Sequence, residues 1–184
     1  MLRKILEFDA RTSEKMRVAE KPGALRSVAV FFAHSGDSWF WGLALIVLWF
    51  AASAWRHWAV VQFFWISILA ALVLVLKFSI RRRRPEGQWG AIYRNTDPHS
   101  FPSGHAARAF LIAMLASLLG PLWLALILWV WAPLVALARV AMGVHYFSDI
   151  LAGFILGIIV ALIGWQFSPA ILASLSMWIG IPLW

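Results

Sequence analysis

From residue 38 onward the chain is a succession of long apolar runs, about 38–55, 58–78, 104–119, 121–142, 147–166 and 168–184. A helix needs about 20 such residues to cross a hydrocarbon layer about 30 Å thick. The runs belong to a chain of 184 residues that is 62% hydrophobic and only 13% charged, too little charge to keep a soluble domain of this size dispersed. The pattern predicts an all-α integral membrane helical bundle with five or six transmembrane helices. Trp39, Trp41 and Trp55 fall at the ends of the first run, where interfacial anchors sit. The last run opens at Ser168-Pro169, a helix-start signal, and is short enough to tilt little or to lie partly in the interface.

Residues 1–36 read as a separate basic, amphipathic N-terminal arm, and residues 37–184 as the transmembrane domain. Within the arm, Leu2, Ile5 and Leu6, then Leu25, Val28, Ala29 and Phe32, recur at near-helical spacing, which fits a helix lying on the membrane surface. A solvated tail fits residues 1–22 equally well. Pro22-Gly23 marks a break, and Ser35-Gly36-Asp37-Ser38 supplies cap chemistry for the next helix. Charged residues are scattered throughout positions 1–27 with no apolar stretch among them, so no secretory signal is expected there. The chain has no cysteine, which excludes disulfides and zinc–thiolate sites. Its formal charge is +8. These cations lie in the arm and at the ends of apolar runs, a placement that suits anionic headgroups or a phosphorylated substrate rather than nucleic acid.

Three polar clusters interrupt the apolar sequence. The first runs from Lys77 through Arg81–Arg84 to Pro85. The second is Pro102-Ser103-Gly104-His105. The third spans Arg139, His145 and Asp149. A charge at the centre of a lipid-facing helix costs about 2.5–3.5 kcal/mol on insertion scales, so such clusters need an anion or water among them. The first closes the second run, the second opens the third run, and the third joins the fourth and fifth. Crossing out and back therefore returns all three to one membrane face.

Each cluster has more than one reading. Lys77 and Arg84 share a face if the helix continues that far, and both could hold one polyanion; alone they also fit a positive-inside anchor. Ser103 and Gly104 at a helix start offer backbone N–H groups to an anion, with His105 in the first turn able to give a proton to a leaving oxygen; alone they also fit an ordinary cap. His145 and Asp149 are spaced so that the carboxylate orients the imidazole, leaving its other nitrogen as a nucleophile. A metal-binding pair is the competing reading, disfavoured by the nearby arginines. Arg139 could grip phosphate oxygens in a bidentate fork. Arg81–Arg83 read as headgroup contacts, Arg108 as either a substrate contact or a snorkelling side chain, and His34, His57 and His99 as interfacial. Together the clusters describe a phosphoryl-transfer site that uses electrostatic stabilisation without metal.

These residues resemble the signature of the type 2 phosphatidic acid phosphatases, a superfamily shared with vanadium haloperoxidases: Lys-x6-Arg-Pro, then Pro-Ser-Gly-His, then Ser-Arg-x5-His-x3-Asp. Lys77–Pro85, Pro102–His105 and Arg139–Asp149 fit in order and spacing, except that Ala138 stands where the pattern has serine. Ser100–Arg108 is also similar to the polyisoprenoid diphosphate phosphatase-like subgroup. The resemblance implies that His145 attacks phosphorus and forms a phosphohistidine, with Asp149 orienting it. It implies that His105 protonates the departing alcohol and later activates water. Lys77, Arg84, Ser103, Gly104 and Arg139 would hold the phosphate, and no cofactor or metal is implied. The expected activity is hydrolysis of a lipid phosphomonoester or of the terminal phosphate of a diphosphate, the candidates being polyprenyl diphosphate, phosphatidic acid and phosphatidylglycerophosphate. A lipid phosphotransferase and a non-enzymatic anion transporter are the competing functions; small size and apolar spans disfavour a haloperoxidase. The expected location is a bacterial inner membrane. Arm cations on the side of the site place that side in the cytoplasm by the positive-inside rule. An additional span across Val28–Trp41 would turn the site to the periplasmic face.

Overall fold

The computed structural model describes residues 2–19, 21–87, 89 and 97–180. The middle of the polar segment 79–103 and the end of the expected last run, 181–184, lie outside them. The elements in order are α1 (Leu2–Met16), α2 (Ala24–Ser35), α3 (Ser38–Ala51), a 3-10 turn (Ser53–Trp55), α4 (Arg56–Ile80), α5 (Gly104–Leu119), α6 (Leu122–Ala141) and α7 (Phe147–Ile179). Among the described residues there is no strand, only an isolated antiparallel bridge between Arg83 and His99.

α5 is the axis of the bundle. Ala106, Ala107, Ala109, Leu111, Ile112, Ala113, Leu115 and Ala116 are all fully buried, as an all-round apolar helix must be. α4, α6 and α7 pack around it. The closest approach is that of α7. A Cβ on Gly157 would lie 2.2 Å from the Ala107 carbonyl oxygen, and one on Gly153 would lie 2.6 Å from that of Ser103. Two glycines four residues apart therefore let the backbones meet, the usual device where lipid supplies no hydrophobic drive between helices. This contact brings the second and third polar clusters together.

Among the described residues three stretches are long and apolar enough to cross a membrane: Ser53–Ile80, Leu122–Ala141 and Phe147–Trp178. α2 and α3 meet that test as a pair bent by 54°, and α5 is a shorter apolar helix. The expected fifth run and the sixth as far as Ile179 are one helix. Pro169 lies inside α7 without ending it. Its ring removes one backbone donor, but packing holds this turn. The Gly164 backbone lies against the Trp65 ring, Trp65 Nε1 donates to Ser168 Oγ at 2.8 Å, and that hydroxyl donates to the Gly164 carbonyl.

The arm does not lie free on a surface. α1 packs on the start of α7, where its Ser13 Oγ accepts from Phe147 N (2.8 Å) and Asp9 Oδ1 accepts from Ser148 N (3.0 Å). One helix thus caps the exposed N–H groups of another. α2 packs on the end of α6 through Ala29 and Ala33, against Ala138 and Met142. In that contact Ala138, which stands where the family pattern has serine, fills an apolar seam.

Candidate active site

Three local features of the backbone assemble the clusters. α4 ends at Ile80 because Arg81 adopts a left-handed conformation (φ 54°), its N–H closing on the Lys77 carbonyl at 2.9 Å. Lys77 and Arg84 therefore do not share a helix face; the chain turns out of α4 and returns with Arg84. Ser103 caps α5, its Oγ accepting from Ala106 N, and its own N–H donates to the Asp149 carbonyl at 3.0 Å. Gly143 takes the left-handed turn after α6 (φ 67°), and both Val144 N and His145 N donate to the Arg139 carbonyl, at 3.1 and 3.3 Å. That turn delivers His145 beside Arg139.

The result is a buried concentration of charge. Lys77, Arg84, Ser103, Arg139, His145 and Asp149 are each no more than 5% exposed, while Gly104 and His105 line the adjoining cleft. Arg84 is held from several sides. Its Nη1 donates to the Val144 carbonyl at 2.8 Å and lies 3.3 Å from His145 Nε2; its Nε donates to the Asp97 carbonyl at 2.7 Å. All eight residues expected from the sequence are thus gathered in one region.

His145 Nδ1 lies 3.4 Å from Asp149 Oδ2, an ion-pair distance somewhat longer than a hydrogen bond. Burial, with the positive charges of Arg84, Arg139 and Lys77, pushes the His145 pKa well below the ordinary histidine range. The ring is therefore neutral at physiological pH, the form with a lone pair to give. Asp149 makes firmer bonds elsewhere: Oδ2 accepts from Tyr146 N at 2.8 Å and Oδ1 from Arg82 Nη1 at 2.7 Å.

Four side chains outside the expected set complete the site. Arg82 bridges Asp149 to Asp9 (Nη2 to Oδ2, 2.6 Å), donates to Ser148 Oγ at 2.6 Å and stacks 4.0 Å over the Tyr146 ring. It is not a headgroup contact. Asp97 places its carboxylate between Lys77 Nζ and Arg84 Nη2, the latter at 2.8 Å. Burial raises its pKa, but the Lys77 bond and the charges of Lys77 and Arg84 outweigh that and hold it below the ordinary carboxylate value. Asp97 thus sits where two cations would receive a phosphate. Asp37 is the N-cap residue of α3 yet makes no cap bond; its carboxylate meets His105 Nε2 at 2.7 Å. Arg108 is buried and donates to the Gly36 carbonyl rather than snorkelling, and it lines the same cleft as Lys77 and His105. The sequence offered only weak signals for these: a second arginine in a run of four, an aspartate in a loop, and an aspartate in a cap-like string.

Two clefts open from this centre on different sides. One, about 230 Å³, lies between α4, the start of α3 and α5, lined by Lys77, Gly104 and His105 at one end and Ile66, Leu69 and Val73 at the other. The second, about 250 Å³, lies under α1 and is lined by Ser13, Glu14, Arg17, Glu86, Gly143 and His145.

The PAP2 superfamily model matches residues 58–172. A probable lipid phosphate phosphatase beta from Arabidopsis thaliana is 28% identical over 194 residues, covering 89% of this chain and 90% of that protein. The decaprenylphosphoryl-5-phosphoribose phosphatase of Mycobacterium tuberculosis is 36% identical over 88 residues, or 47% of this chain and about half (48%) of that relative. Among solved structures, the PAP2 type phosphatidylglycerolphosphate phosphatase of Bacillus subtilis superposes with a TM-score of 0.74 over 91% of this chain and 88% of that one, at 24% identity. The match spans α4 to α7 and so contains all three polar clusters, which places this chain in the PAP2 superfamily.

Proposed function

We propose that this membrane protein is a lipid phosphatase whose nucleophile is His145. The observation that carries the reading is the setting of His145 Nε2: a neutral imidazole nitrogen beside Arg84, among buried cations, one of which, Lys77, ends a cleft whose far wall is apolar. In the first step Nε2 attacks phosphorus as the bond from phosphorus to the lipid oxygen breaks, and His105 gives that oxygen its proton. In the second, His105 takes a proton from water, the water oxygen bonds to phosphorus, and the phosphorus–nitrogen bond breaks to release inorganic phosphate. Lys77, Arg84 and Arg139, with the Ser103 hydroxyl and the Gly104 backbone N–H, stabilise the charge spread over the equatorial oxygens. The polar cleft under α1 suits entry of water and exit of phosphate. The protein cations take the place that metal ions occupy in other phosphoryl-transfer enzymes, so the reaction needs no added metal.

The substrate this arrangement favours carries a long polyprenyl tail. The cleft at Lys77 continues the stripe of α4 that also lines an apolar cleft of about 450 Å³ between α3 and α4, bounded by Ala59, Phe63, Trp49 and Leu172. From Ala59 to Lys77 the stripe is about 27 Å long at 1.5 Å per residue, close to the full hydrocarbon thickness and beyond one leaflet. We place the site on the cytoplasmic side of a bacterial inner membrane, because the cationic arm packs on the site's side. Turnover by purified protein of undecaprenyl diphosphate, farnesyl diphosphate, phosphatidic acid and phosphatidylglycerophosphate, in chelator, tests the reading. Preference for the longest tail is expected. A requirement for magnesium would overturn the metal-independent mechanism, and preference for the diacyl lipids would overturn the tail assignment.

A further inference from the structure

His105 is paired with a carboxylate that none of the three clusters contains. Its Nε2 lies 2.7 Å from Oδ1 of Asp37, at the elbow between α2 and α3. The other carboxylate oxygen lies 3.0 Å from His34 Nδ1 and accepts from Trp39 Nε1 at 3.3 Å. The elbow is fixed independently of that pair. Arg108, one turn beyond His105, donates from Nε to the Gly36 carbonyl at 2.9 Å, makes a second bond there from Nη2, and reaches Ser38 Oγ from Nη1. Gly36 leaves no room for a side chain, since a Cβ would lie 2.7 Å from Val135 Cγ1 and 3.4 Å from His105 Cδ2. A carboxylate is therefore held in the break of an apolar helix pair, where an ionised group is costly without a partner.

We propose that Asp37 is a positioning residue for His105: it fixes the imidazole and stabilises its protonated form while the lipid oxygen departs. The inference rests on reading His105 as the general acid. Arg139 on α6 and Arg108 on α5 set positive charge around the ring, and Asp37, itself shared with His34, is the carboxylate that offsets them. As the phosphorus–oxygen bond breaks, the ring proton passes to the leaving oxygen. When water later attacks, the neutral ring takes a proton back. Asp37 gains and loses none.

The test compares leaving groups in the first turnover, before hydrolysis of the phosphoenzyme limits the rate. A lipid phosphomonoester expels an alkoxide that needs a proton; p-nitrophenyl phosphate expels a phenolate that does not. Asp37→Asn is expected to slow first-turnover release from the lipid substrate about 100-fold, within the range general acids supply, and release of p-nitrophenolate far less. Asp37→Glu is expected to recover part of the loss. His105→Ala is the reference. If it shows no dependence on leaving group, the general-acid reading fails. If it shows that dependence while Asp37→Asn slows both substrates equally, or neither, the role assigned to Asp37 is wrong. Should Asp37→Asn fail to fold, Asp37→Glu carries the same comparison, and an equal loss on both substrates overturns the proposal.

Discussion

Arg82 Nη1 donates to Asp149 Oδ1 at 2.7 Å, while His145 Nδ1 stands 3.4 Å from the other oxygen of the same carboxylate. Asp149, which in the proposed mechanism orients the nucleophile, is thus held by an arginine outside the proposed phosphate cradle, and that arginine is held in turn by Asp9 of α1. Removing it leaves a buried carboxylate short of a charged donor. Arg82→Ala is expected to lower kcat by about 100-fold, the cost typical of a small misplacement of a reacting group. Inhibition by vanadate, which reads the phosphate cradle, should change little. Loss of vanadate binding in this variant would show instead that Arg82 contacts the substrate.

Asp97 occupies Lys77 and Arg84, the two cations proposed to receive the phosphate. Its side chain is 39% exposed, so solvent screens the pairing and its worth is about 1 kcal/mol at most, or roughly fivefold in a binding constant. Asp97→Asn is expected to tighten inhibition by phosphate and vanadate by up to about fivefold. Isothermal titration or inhibition curves measure it. Weaker binding would mean that the carboxylate organises the cations rather than blocking them.

The contact of α5 with α7 joins the helix that begins at His105's cluster to the one that begins beside His145. Gly157→Val places a side chain where a Cβ alone would stand 2.2 Å from the Ala107 carbonyl oxygen, and Gly42→Ala meets nothing within 4 Å. Overpacking of this kind costs about 1–3 kcal/mol. Thermal unfolding in detergent should fall for Gly157→Val, with loss of turnover, and stay unchanged for Gly42→Ala. Equal stability of the two variants would contradict the close packing of these helices.

The helical bundle and the gathering of the candidate site residues were legible because their signals are local. Apolar runs of spanning length stand out against brief polar breaks, and Lys77, Arg84, Ser103, His105, Arg139, His145 and Asp149 recur at fixed spacings. What was not legible depends on approach between distant elements. Pro169 and Ser168 read as a helix start, but packing of Gly164 on Trp65 carries α7 through them. Asp37 read as a cap, and only the bend between α2 and α3 shows that it turns to His105. Arg82 was indistinguishable from its neighbours Arg81 and Arg83 until its partners on α1 and α7 were in place. Lys77 and Arg84 do converge, through a left-handed turn at Arg81 that no residue type there announced.

Orientation follows from the arm. Arg3, Lys4, Arg11, Lys15, Arg17, Lys21 and Arg26 precede the bundle, whereas the turn between α3 and α4 shows only Arg56. By the positive-inside rule that asymmetry supports the proposed placement of the arm, and with it the site, in the cytoplasm. Cysteines placed singly at the exposed residues Ser53 and Glu86 of this cysteine-free chain read it directly. An impermeant maleimide is expected to label Ser53→Cys in intact cells and Glu86→Cys only after lysis. The reverse pattern would place the site on the outer face.

In the proposed reaction the phosphoryl group passes through His145. His105→Ala, loaded with radiolabelled p-nitrophenyl phosphate and quenched in alkali, where phosphohistidine survives, should carry label on the peptide containing His145. Mass spectrometry should assign the phosphate to that imidazole. No label should appear in His145→Ala, which should also lose essentially all turnover of lipid phosphate. Label on another residue, or near-normal phosphate release by His145→Ala, would contradict the account.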